Sequence, residues 1–262
     1  MTATKYVHIG KINFINGLVY FWDNVAHSLF IGLIFYVFTQ LWTVVYGDKI
    51  LISGFTIAMM LWYFVMAESI VTSYGRLIEE IGTEVKTGEV ANALNKPYHY
   101  IIYKYASSLG AACLRFFITF AVGVIVLSIF IREIGFQWVG VPFVLITVFL
   151  AITLNFIMMA FLGIFAFWFE EAEALYFVYQ KFVFTIGGMI FPLDIFPVWL
   201  AKIAAVLPFS YVAYHPAKLF VAFTFSGFLK VVAFQLVWIV IFSGAAFLLY
   251  SMCVKRLSAN GG

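Results

Sequence analysis

Apolar runs long enough to cross a bilayer recur along most of this chain, and little lies between them. A helix crossing about 30 Å of hydrocarbon needs about 20 residues. Residues 28–46, 50–71, 106–131, 139–169, 175–191 and 228–250 meet or approach that length. Gly47-Asp48-Lys49 leaves only a tight turn between the first two, which makes them antiparallel neighbours. Pro142 falls in the first turn of the fourth, where proline is tolerated. The pattern predicts an all-α polytopic membrane protein with six transmembrane helices in one domain, residues 1–262.

The segment before the first run is too polar to span. Val7, Ile12, Ile15, Val19 and Trp22 recur every three to five residues, with Lys5, His8, Lys11 and Asn16 largely elsewhere. That spacing predicts an interfacial amphipathic helix within residues 1–27, a plain lead-in to the first span being the alternative.

The main polar interruption is residues 76–104. Residues 73–104 hold eight of the 27 charged residues. Ile78, Ile81 and Val85 form an apolar stripe, with Glu79, Glu80, Glu84 and Lys86 largely around it. Gly88 offers a C-terminal break, and the VANAL stretch makes a second short turn before Pro97. A short helix lying along the membrane surface and docking into a partner is the expectation, against a solvated loop with no partner.

Four of the six prolines, Pro192, Pro197, Pro208 and Pro216, lie in residues 192–216. Between them VWLAKIAAVL is only about 15 Å long as a helix. It is too short to cross and too apolar for a free loop, so it is predicted to dip into the outer leaflet and return. Pro197 suits the first position of that helix and Pro208 its end. The segment is a gate or a static cap, and Gly187-Gly188 before it permits close packing or a bend.

Composition excludes a soluble domain. Hydrophobic residues are 65% of the chain and charged residues 10%, against about 45–50% and about 25% in soluble domains. Mean hydropathy is +1.06. Six spans put both termini on one side, with Lys5, Lys11, Arg76, Lys86, Lys96, Lys104, Lys181, Lys255 and Arg256. The other side carries Lys49, Arg132, Lys202, Lys218 and Lys230. Nine against five places the termini and the polar interruption in the cytoplasm. Residues 1–17 lack an apolar stretch with a small-residue cleavage site, so no removable signal peptide is expected.

Charges inside the spans are candidates for a substrate path. Glu68 and Arg115 sit close enough to helix ends to reach the inner interface, and a pair between them is one option. Lys181 is followed by only ten apolar residues before Pro192, so it faces a polar cavity or snorkels beside Glu173. Cys113 and Cys253 give neither a disulfide framework nor metal-ligand spacing. No phosphate-binding GxxxxGK[ST] loop, HExxH motif or Ser–His–acid set can be picked out. Neither metal, catalytic residue nor nucleic acid is expected.

EEIGTEVKTGEVANALNKP resembles the loop after the second span of ABC-2 type exporter permeases, in the six-span branch. Glu84, Gly88-Glu89, Leu94 and Lys96-Pro97 carry the likeness, with Leu41-Trp42, ISGFTIAMMLWYF, FPLDIFPVWLAKIAAVLPF, Gln235-Leu236-Val237-Trp238 and the terminal KRLSANGG in matching order. The resemblance implies an exporter subunit in a bacterial cytoplasmic membrane, paired with a copy of itself or a sister permease. Two cytoplasmic ATPases would bind the ATP and Mg that this chain does not. It further implies ATPase contacts at Glu79, Glu80, Glu84, Val85, Gly88, Glu89 and Leu94, with a smaller one at Glu170 and Glu171. Phe191, Pro192, Pro197, Trp199 and Pro208 would form the outer gate. An ion-coupled secondary transporter, which would need midplane carboxylates and usually a repeat, and a membrane-embedded scaffold or enzyme are the competing classes.

Overall fold

Residues 57–71 and 141–165 are apolar on nearly every face, and both lie in the middle of a helical bundle. The computed structural model describes residues 2–19, 21–87, 89, 99–131, 133–165 and 172–260. Their helices are α1 (Thr2–Val19), α2 (Phe21–Tyr46), α3 (Ile57–Val71), α4 (Leu77–Lys86), α5 (Tyr100–Phe130) and α6 (Val141–Phe165). Then come α7 (Ala172–Phe184), α8 (Val198–Ala204), α9 (Pro208–Val212), α10 (Tyr214–Val221) and α11 (Phe225–Asn260). Trp138–Gly140 and Leu193–Ile195 are 3-10 turns. The described residues form no strand, only an isolated bridge between Ile52 and Phe55.

Among the described residues, four stretches are long and apolar enough to cross a membrane: Trp22–Tyr46, Tyr100–Phe130, Trp138–Phe165 and Phe225–Cys253. Two of the six expected spans are shorter as helices. The second begins at Ile57 rather than residue 50, because Ser53 and Gly54 adopt positive φ and Thr56 caps Met59 N at 3.2 Å. The fifth stops at Phe184, where residues 185–187 turn and Gly188 takes φ +72°. The third and sixth are longer than their apolar cores. Residues 166–169, the expected end of the fourth, lie outside the described residues.

Close approaches set the helix order. α2 runs parallel to α5: Ser28 and Thr119 share a hydrogen bond of 3.1 Å, Gly32 abuts Val122, and Tyr36 packs on Phe130. α3 runs antiparallel to α5. Gly135, just past the end of α5, sits on Ala58, Trp62 Nε1 donates to Glu133 O at 3.0 Å, and Val65 packs over Gly123. A Cβ at Gly123 would come 2.4 Å from Val65 Cγ1, so this glycine permits the crossing. α11 lies along α6, where fully buried Gln235 donates to Thr147 O and Tyr211 O, each at 3.0 Å.

α1 packs along the first turns of α5, with His99 N donating to Tyr6 Oη at 3.2 Å and Gly10 against Ala106 O. The helix expected from residue spacing is present, and its neighbour along this stretch is another helix of the same chain.

At the other end, Tyr63 donates its hydroxyl to Gly188 O, fixing the turn after α7 to the middle of α3. Gly188 also lies tightly against Tyr214 Cβ and Leu193. Tyr63→Phe is expected to cost about 1 kcal/mol through the lost hydrogen bond. Gly188→Ala is expected to cost about 1–2 kcal/mol or more from the left-handed backbone and the contacts. Thermal unfolding of the detergent-solubilised protein, with the glycine variant melting lower, checks both.

Candidate functional site

The charged residues after α3 fold back onto the bundle. Leu77, Ile78 and Ile81 of α4 are buried, and Gly163 of α6 lets Ile81 approach so closely that a Cβ there would lie 2.9 Å away. Tyr74 packs on Phe156 two turns earlier. Successive contacts thus run the same way along α4 and α6, and the opposite way along α5, from Arg115 beside Gly75 to Lys104 beside Glu84. The sequence pattern predicts a short helix here that lies along the membrane surface and docks into a partner. The helix is present, and its Ile78 and Ile81 are buried against the chain's own α6.

What α4 leaves outward is polar. Glu79 pairs with Arg76 at 3.2 Å, and the Glu80 side chain stays 57% exposed. Lys104 of α5 is buried, yet its ammonium reaches Glu80 Oε1 and Glu84 Oε1, both at 2.5 Å. Tyr100 donates to the other Glu84 oxygen at 2.5 Å and stacks on Tyr250 of α11, with ring centroids 6.1 Å apart. His99 stacks on Phe247 and Tyr250. Burial lowers the His99 pKa below the usual imidazole value. One lysine therefore ties α4 to α5, and the adjoining tyrosine carries the tie to α11.

Glu79, Glu80 and Glu84 lie where the sequence predicted, on one short helix. Glu89 is exposed. Gly88, Leu94, Glu170 and Glu171 fall outside the described residues, as does the side chain of Val85. Lys104 and Tyr100 were not singled out from sequence. The clue available was that Glu80 and Glu84, like Tyr100 and Lys104, are four apart and share a helix face.

The three charges assigned to a substrate path are not brought together. Glu68 is buried one turn from the end of α3. Arg115 donates Nε–H to Asn24 Oδ1 at 3.2 Å, and no ion pair joins it to Glu68. Lys181 is exposed on α7, its ammonium 4.8 Å from the Phe177 ring centre and 5.9 Å from that of Phe184. Apolar cavities of about 350 Å³ and about 380 Å³ open elsewhere, the first walled by Trp62, Phe116, Phe120, Phe136 and Phe220.

The segment after α7 is built as a cap of short helices. Phe191 meets Trp42 of α2 edge-on at 5.9 Å, Pro192 and Pro208 are buried, and Trp199 is exposed. Two placements differ from expectation. Pro197 is the residue before α8, and Pro208 opens α9 instead of ending α8, since a ring without an N–H fits a first turn. Asp194 holds the cap to α10, bonded by Lys218 at 2.5 Å and Tyr214 at 2.8 Å. Burial, then the Asp194 charge, raises the Tyr214 pKa. His215, stacked on Tyr211, donates to Ala205 O at 3.1 Å. Burial first, with Lys218 and Lys230 nearby, lowers its pKa to about 4.

Among known families, the one described as "ABC-2 family transporter protein" matches residues 30–261. No curated protein matches the chain.

Lys104→Met leaves two carboxylates facing each other at the α4–α5 contact and is expected to destabilise by about 2–3 kcal/mol, read as a lower unfolding midpoint. His215 sets a pH dependence. Its folded pKa of about 4 lies below the unfolded value of about 6.5, so the unfolded chain takes up protons first as pH falls. Stability should decline as pH drops from about 6.5 towards about 4, and His215→Gln should flatten that decline in melting curves.

Proposed function

The chain belongs to the ABC-2 family of transporter proteins, a multi-pass membrane permease of an ABC transporter, and on that premise we propose that it is the exporter's path-forming subunit, driven by separate ATPases through the α4 base. The observation that carries this reading is the Lys104 contact with Glu80 and Glu84. That contact joins α4 to α5, and Tyr100 with Tyr250 continues it to α11, which gives movement of α4 a route into the bundle.

In this reading α3 and α7 complete a set of six spans, with the termini and α4 in the cytoplasm of a bacterial cell membrane. The exposed acids of α4, with Glu89 and the residues from Glu170 to Glu173, would meet the ATPase. Because Ile78 and Ile81 are already buried, that meeting would be polar and sensitive to salt. A second permease chain, identical or a sister, would close the path, and an exposed Lys181 on α7 is then free to face it. ATP and Mg would reside on the ATPase. The cap from Phe191 to Pro208 would gate the outer side, held shut by the Asp194–Lys218 pair. Glu68, one turn from a helix end, is poorly placed for the midplane ion binding of a secondary transporter.

Co-purification with the ATPase encoded beside this chain tests the proposal. A stable complex should form, and Glu89→Lys, at an exposed position outside the Lys104 contact, should lower its ATP turnover at least about fivefold while the spans stay folded. Absence of a complex, or unchanged turnover in the variant, overturns the coupling role.

A further inference from the structure

Three helices turn from polar to apolar at one level. α2 opens with Asp23 and Asn24, α3 gives way to Thr72-Ser73-Tyr74-Gly75-Arg76, and on α5 the last charge is Arg115. These boundaries are in register, because Arg115 bonds Asn24 and lies against Gly75, where an added Cβ would sit 3.1 Å from its Nη1. Beyond Arg115, Phe116 to Phe130 supply about 22 Å of mostly apolar helix. The shared level is therefore where the bundle leaves hydrocarbon for headgroups.

Just outside it opens a polar cleft of about 510 Å³, bordered by Asn13, Arg76, Glu79, Glu80, Ser108 and Arg115. Its two arginines and two glutamates balance in charge. Arg76 holds Glu79 Oε2 and leaves Glu79 Oε1 buried without a hydrogen-bond partner among the described residues, while Lys104 holds only Oε1 of the half-exposed Glu80. Arg115 has no carboxylate within ion-pair distance among the described residues, and its flat fork of donors suits a phosphate. The carboxylates nearby would repel a headgroup of net negative charge and attract an ammonium.

We propose that this cleft binds the headgroup of a zwitterionic phospholipid, with its phosphate on Arg115 and its ammonium towards Glu79 and Glu80. The ligand comes from the bilayer, since the cleft starts where the apolar surface ends. Phosphatidylethanolamine fits better than phosphatidylcholine because a primary ammonium donates hydrogen bonds and a quaternary one does not. The inference requires only that the bundle spans a membrane and holds whether or not an ATPase binds.

The test is native mass spectrometry of the purified, delipidated full chain, titrated separately with phosphatidylethanolamine, phosphatidylglycerol and phosphatidylcholine. The wild type should hold phosphatidylethanolamine about tenfold more tightly than phosphatidylglycerol. Arg115→Gln should lose about tenfold for it, and Arg115→Lys less. Glu79→Gln, which adds one positive charge to the balance, should shift preference towards phosphatidylglycerol. Melting curves identify any variant that fails to fold, and the wild-type ranking stands without the variants. Equal wild-type affinities for the two lipids, or unchanged binding by folded Arg115→Gln, overturns the proposal.

Discussion

A buried ammonium needs opposite charge within reach, and Lys104 has two carboxylates. Taking a charge out of water costs several kcal/mol unless it is paired. The path of the chain after α3 follows from that requirement. α4 has to bring Glu80 and Glu84 to α5, so it runs beside the bundle and spends Ile78 and Ile81 on α6. Tyr100, bonded to Glu84 and stacked on Tyr250, extends the constraint to α11.

The two ends of the bundle are held by different chemistry. At the α4 end, charge pairing joins a short helix to a long one. At the cap, short helices are held by one aspartate, by Tyr63 on Gly188 and by Trp238 on Val206 O. Each cap helix is too short to be stable alone in water, so the cap depends on the helices it touches. Between the ends lie α3 and α6, held by packing against small residues and rings and by single hydrogen bonds such as Gln235 to Thr147 O.

Spans were legible where apolar length decided the matter, as in α2 and α6. The ends of α3 and α7 were not, because Ser53 and Gly188 terminate helix through backbone conformation inside sequence that still looks apolar. α5 extends past its apolar core for the opposite reason. Lys104 looked like a loop residue until the two glutamates that neutralise it were placed beside it. The acids of α4 were readable as a cluster, but the direction of the helix was not, since an amphipathic stripe fits a membrane surface, a partner or the chain's own core equally well. The cap was visible in its prolines. Its anchor was not, because Asp194 and Lys218 are 24 residues apart.

The common level at which α2, α3 and α5 become polar restricts how the protein is able to move. Sliding α5 towards the far side by one helical turn, about 5.4 Å, would carry Arg115 into hydrocarbon at a cost of up to about 2.5–3.5 kcal/mol. It would also break the Asn24 contact and drag Trp62 off Glu133 O. Piston-like displacement of single helices is therefore unfavourable. Tilting the three together leaves the Asn24, Gly75 and Glu133 contacts between them intact. A change of shape that preserves the shared polar level moves α2, α3 and α5 together.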